Sequence, residues 1–101
     1  PKIQSRWRAA LLSGRYAEMP WGIYLRYKNQ WSPFGILCDL HCIEHERRWK
    51  GDLYLGRIAT LPNQVQRWAE VDSESPHING VSIHNLSLMP GSLLKTAEAL
   101  S

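Results

Sequence analysis

Residues 2–13 repeat apolar side chains at helical spacing. Ile3, Trp7, Ala10 and Leu11 fall on one side, and Gln4, Ser5, Arg6 and Arg8 on the other, which predicts an amphipathic helix. Gly14 supplies a left-handed stop, and Met19-Pro20 breaks any continuation. The period then changes. Over residues 22–28, Ile23, Leu25 and Tyr27 alternate with Tyr24, Arg26 and Lys28, the pattern of a strand with one face turned inward. Asn29-Gln30 reads as a tight connection, and Trp31 as the start of a short returning strand.

The widest apolar surface belongs to residues 33–46. Ser32-Pro33 is a helix start: the serine hydroxyl accepts an orphan backbone N–H, and proline at the first position lacks a donor that has no partner anyway. At about 100° per residue, Phe34, Leu37, Cys38, His41 and His45 share one face, which Ile36, Leu40 and Ile43 widen. Asp39 and Glu46 fall opposite and are expected to face water. Arg47 and Arg48 follow where cations interact favourably with the helix dipole. So broad an apolar arc predicts the central element of the core.

Beyond it, Gly51-Asp52 signals a turn before a short β-prone run, Leu53 to Gly56, expected to pair with the earlier strand. Residues 61–69 read as a helix with Pro62 at its first position. Leu61, Val65 and Trp68 project one way, and Ala69 extends that side. Residues 71–76 are acidic and turn-rich, so a loop is expected. Gly80 to Met89 fits either a short helix started by Ser82 or a strand. Ser92 is expected to cap a final helix, Leu93 to Leu100, with Leu93, Leu94, Ala97 and Leu100 facing the core. Together these elements predict an α+β fold in a small single domain spanning residues 1–101: a central helix packed on a short antiparallel sheet, with flanking helices.

Composition supports a folded chain. Of 101 residues, 44% are hydrophobic and 21% charged, which is globular rather than disordered. The five tryptophans serve either as core or as anchors for a partner. Net charge is +3, but residues 1–58 hold ten Lys/Arg against five Asp/Glu, and residues 59–101 hold two against four. A basic half attracts nucleic acid, anionic lipid or an acidic protein surface. Cys38 and Cys42, four apart on one helix, are expected as reduced thiols of a cytoplasmic protein. No apolar run reaches membrane-spanning length and no signal peptide is expected, so no membrane partner is either. Pro1 fits removal of an initiator methionine.

The spacing Cys38-x-x-His41-Cys42-x-x-His45 uses preferred zinc ligands. One helix cannot surround an ion with four of them, and only His77 and His84 remain elsewhere. Buried thiols and core-edge histidines are therefore expected, with no metal and no cofactor; a small zinc-binding module is one alternative. Glycine-rich phosphate loops, a nucleophile elbow and metalloprotease spacing are absent from the sequence, so an enzyme is not expected. A Cys–His nucleophile would need an exposed thiol of lowered pKa. The binding residues expected are Trp21, Tyr24, Arg26, Lys28 and Trp31, where cations interleave with aromatics. A protein partner, with the chain acting as an inhibitor or modulator, is expected there. Nucleic acid is the other alternative, since such a face stacks bases and holds phosphates.

Three motifs carry a resemblance. Ala10-Leu11-x-Ser13-Gly14-x-Tyr16, Gly35-Ile36-Leu37-Cys38-Asp39-Leu40 and Leu61-Pro62-x-x-Val65-x-x-Trp68-Ala69 resemble the LRSGxY, GVLCDL and LPxxVxxWAGL segments of a group of small uncharacterised phage and prophage proteins. Leu86 and the Ser92–Leu100 stretch answer to that group's closing segments. This chain departs from the group in having Ser32-Pro33-Phe34 before Gly35 and Leu86 to Gly91 in place of a Leu-Asn-Asp turn. The resemblance implies a mobile-element origin; with the tryptophan excess and the absence of catalytic motifs, a host factor is one partner expected. It implies no cofactor and no catalytic residue.

Overall fold

The computed structural model describes residues 2–20 and 22–101. Helix α1 (Lys2–Leu12) buries Trp7 and Leu11, and the Trp7 indole donates to the Pro33 carbonyl at 2.9 Å. The Ser13 hydroxyl accompanies the predicted stop by donating to the Ala10 carbonyl at 2.7 Å, and Gly14 adopts φ +75°.

Three two-residue strands follow: β1 (Ala17–Glu18), β2 (Arg26–Tyr27) and β3 (Gln30–Trp31), in the order β1-β3-β2. The β2–β3 pair is the expected antiparallel hairpin, but β1 lies parallel to β3, with Ala17 opposite Gln30. The sheet is therefore mixed. The expected strand over 22–28 is also shorter. Lys28 and Asn29 take positive φ, 50° and 65°, and form the hairpin turn. Leu25 alone of its alternating set is buried, while Ile23 and Tyr27 are exposed. With only Arg26 and Tyr27 in register, the alternation has no sheet to bury its other members.

Helix α2 (Pro33–Glu44) starts as predicted, the Gly35 N–H donating to the Ser32 hydroxyl at 3.2 Å. It touches α1, β3 and the three helices that follow. Asp39 does not face water as expected; it accepts two side-chain hydrogen bonds described below. The run 50–57 is not a strand but two tight turns bridging Lys50 to Leu53 and Tyr54 to Arg57. Leu55 and Gly56 both take positive φ, which β structure does not allow. This segment still reaches the first sheet region, through Leu25 N–H to the Ile58 carbonyl at 2.8 Å.

Helix α3 (Asn63–Ala69) has Pro62 as its N-cap rather than its first residue. Strands β4 (His77–Ile78) and β5 (Val81–Ser82) form a hairpin through Asn79-Gly80. Ser82 then caps α4 (Ile83–Ser87), accepting from Asn85 N–H. Both readings of that stretch are thus used, one after the other. Helix α5 (Ser92–Ala99) corrects the expected cap: Gly91, at φ 73°, is the N-cap, and Ser92 lies inside and buried. Leu94 faces outward at 56% exposure. The core gathers Trp7, Leu25, Ile36, Leu37, Tyr54 and Leu61 with other apolar side chains around α2. Helices beside a short sheet make the fold α+β.

Candidate functional site

The residues singled out in the sequence separate into two groups. Trp21 lies outside the described residues. Arg26 and Trp31 belong to a closed cluster. The Arg26 guanidinium sits 5.3 Å from the Trp31 ring centroid and 4.7 Å from that of Trp49, cation–π distances. It also donates to the Gly51 carbonyl and, at 3.4 Å, to Asp52. Trp31 meets Tyr16 edge-on at 5.0 Å and Trp49 edge-on at 5.6 Å. Asp39 closes the group, accepting from the Tyr16 hydroxyl at 2.8 Å and the Trp49 indole at 3.1 Å. Burial, together with the Asp39 carboxylate, holds the Tyr16 phenol well above its usual pKa.

Tyr24 and Lys28 form the other group. Tyr24 packs on Tyr27 with ring centroids 5.8 Å apart, and the Lys28 ammonium lies 5.3 Å from the Tyr27 centroid. These tyrosines line a mostly apolar groove with Met19, Pro20, Ile23 and Gln30. Ile23 is 56% exposed, Tyr24 39% and Tyr27 44%. Ile23 and Tyr27 were read in the sequence as inward-facing. The signal that identifies them as surface is Met19-Pro20 and the turn residues Lys28-Asn29, which leave the strand too short to cover its own side chains. Large apolar groups clustered at a surface are the usual mark of an interaction site.

The Cys38/His41/Cys42/His45 face is tied up internally. Cys38 has no exposure, and burial pushes its thiol well up, with Asp39 and Cys42 adding to the shift. The Cys42 thiol, also raised mainly by burial, donates to the Arg47 carbonyl at 3.0 Å. His41 Nδ1 lies 2.6 Å from the Tyr54 hydroxyl, and His45 Nδ1 lies 3.0 Å from the His41 carbonyl. The two imidazoles stack at 4.1 Å, and Trp68 meets both edge-on. Burial lowers the His41 pKa to about 4, with His45 and Arg47 reinforcing the shift and Glu44 opposing it. Among the described residues, no three His, Cys, Asp or Glu side chains converge as a metal site. Thiols of raised pKa are poor nucleophiles.

Side-chain contacts link the three sequence motifs. Tyr16 of the first bonds Asp39 of the second. Trp68 of the third donates to Glu44 at 2.6 Å, just past the second, and Arg6 pairs with the same carboxylate, holding it below its usual pKa. Leu61, Val65 and Ala69 are fully buried. These motif residues hold the fold together, whereas the groove residues lie outside the motifs.

The sequence profile of Domain of unknown function (DUF8296) matches residues 1–98, and the chain belongs to that family. No curated protein matches significantly, and neither does any solved structure. No helix among the described residues is long and apolar enough to cross a membrane.

Proposed function

We propose that this DUF8296 protein works by binding another protein, through the groove that Ile23, Tyr24 and Tyr27 line and Lys28 borders. One observation carries the reading. Three large apolar or aromatic side chains stand together in solvent, while the neighbouring aromatics Trp31 and Trp49 are closed around Arg26. Tyrosine is a preferred interface anchor because it brings a large rigid surface and a polar tip at low entropic cost. In this reading Arg26 and Trp31 brace the hairpin from behind.

A binding role, as inhibitor or modulator rather than enzyme, agrees with a His41 imidazole and a Cys42 thiol that are buried and already bonded within the chain. The motif resemblance supports a phage or prophage origin, and with it a host factor met in the cytoplasm. The nucleic-acid alternative has less support. It needs several free aromatic faces beside cations; Trp31 and Trp49 already face Arg26, which leaves Tyr24 and Tyr27 with Lys28. The zinc alternative has less as well, since among the described residues no three His, Cys, Asp or Glu side chains converge as a metal site.

Affinity purification of the intact protein from its native host, with mass spectrometry, tests the proposal. A stoichiometric protein is expected with the parent chain and is lost with the pair Ile23→Ser and Tyr24→Ala. Recovery that is indifferent to both substitutions removes the groove from consideration.

A further inference from the structure

The net charge of +3 is unevenly placed, with ten Lys/Arg against five Asp/Glu in residues 1–58. In residues 1–58 four of the five carboxylates accept hydrogen bonds from other groups of the chain. Glu18 accepts from the backbone N–H groups of Gly91 and Leu93. Asp39 accepts from Tyr16 and Trp49, Glu44 from Arg6 and Trp68, and Asp52 from Arg26. Three of the ten cations in the same stretch, Arg6, Arg26 and Arg57, meet a carboxylate. The remaining seven are all exposed and meet no carboxylate among the described residues: Lys2, Arg8, Arg15 and Lys28, with Arg47, Arg48 and Lys50 in the turn after α2. The tyrosine groove opens on this half of the chain. Lys28, in the β2–β3 turn, borders the groove with its ammonium 5.3 Å from the Tyr27 ring centroid.

From this partition we infer that the occupant of the groove is an acidic segment of a partner protein, carrying apolar side chains for the Ile23–Tyr24–Tyr27 floor and carboxylates for Lys28. The inference rests on the docking role proposed above and adds the chemistry of the partner. Complementary charge raises the rate of encounter and rejects basic competitors. The groove adds Met19, Pro20 and Ile23 to its two tyrosines, aliphatic surface that apolar side chains cover and that base stacking on aromatic rings does not need. A polypeptide offering both therefore fits better than a nucleic acid.

The test uses the full chain, isotopically labelled for amide chemical shifts, with three synthetic peptides that share one Leu/Trp pattern. Their polar positions carry Glu, Ser or Lys. A single-stranded oligonucleotide is the fourth probe. The Glu peptide is expected to shift the amides of Ile23, Tyr24, Tyr27 and Lys28 and to bind about tenfold more tightly than the Ser peptide, with the margin narrowing at high salt. Lys28→Glu is expected to reverse the order, so that the Lys peptide becomes the better ligand. Equal binding of the Glu and Ser peptides overturns the acidic assignment and leaves the docking role standing. Failure of all three peptides to move the groove amides removes both. Tighter binding of the oligonucleotide at the same amides replaces the protein partner with a nucleic acid.

Discussion

Gly35 packs on the backbone of Leu25 so closely that a β-carbon added to it would lie 1.8 Å from the Leu25 carbonyl oxygen. The same carbonyl accepts the Ser32 N–H at 3.1 Å and the Ser32 hydroxyl at 3.2 Å. The helix start, the strand residue before β2 and the floor of the core are thereby fixed against one another. Because the obstructing atom is backbone, a flexible neighbour cannot yield to make room.

Gly35→Ala is therefore expected to be among the most damaging single changes. Forcing the two backbones apart costs about 3 kcal/mol or more, read as a lowered urea midpoint or loss of the folded protein. Gly14→Ala is the control. Open space surrounds Gly14, but its φ of +75° makes alanine strained, and a loss of about 1 kcal/mol is expected.

The hydroxyls of Ser92 and Thr96 on α5 are fully buried and find no hydrogen-bond partner among the described residues. An unpaired buried hydroxyl opposes folding. Thr96→Val keeps the shape and removes the polar atom, so it is expected to stabilise the protein by about 1 kcal/mol. Thermal unfolding of the variant beside the parent decides this.

Acid is expected to act through His41. Its folded pKa, about 4, lies below the ordinary value of 6.5, so the unfolded chain takes up a proton first as pH falls. The stability that depends on neutral His41 is complete above about pH 6.5. It declines as pH falls to about 4 and then levels off. Between about pH 7 and pH 5 this amounts to a loss of about 2 kcal/mol. Urea unfolding at the two pH values, compared with His41→Gln, measures it: the variant should lose correspondingly less. The other charged groups facing this ring system are Glu44, His45 and Arg47, and Tyr54 contributes its hydroxyl.

Glu18 is expected to contribute more than a surface carboxylate does. It accepts from Gly91 N–H at 2.9 Å and Leu93 N–H at 3.1 Å, charge-assisted bonds at a helix N-terminus. Glu18→Ala leaves both donors without that acceptor and is expected to cost about 2 kcal/mol. Amide hydrogen exchange should quicken first along α5. Glu18→Gln keeps one acceptor oxygen and should lose less.

Elements whose signals are local could be read from the sequence. Ser32-Pro33 announced α2, Gly14 ended α1, and the Leu61–Val65–Trp68 spacing marked α3. What could not be read depends on distant partners. The parallel place of β1 is set by where β3 returns. Asp39 sits opposite the apolar face of its helix, yet Tyr16 and Trp49 come from other segments to cover it. The carboxylate that accepts N–H groups at the start of α5 is contributed by Glu18, and nothing near Ser92 in the sequence points to it. Of the candidate binding residues, the composition located the aromatic and cationic hairpin. Only the fold separates Arg26 and Trp31, which are folded into a cluster, from Tyr24 and Lys28, which are open to solvent.

The Glu18 contacts bridge 73 and 75 residues of sequence. During synthesis β1 leaves the ribosome long before α5 exists, so its carboxylate waits with no helix to receive it. Closure of this molecule consequently waits until α5 has been made, and the topology places it among the slower steps of folding.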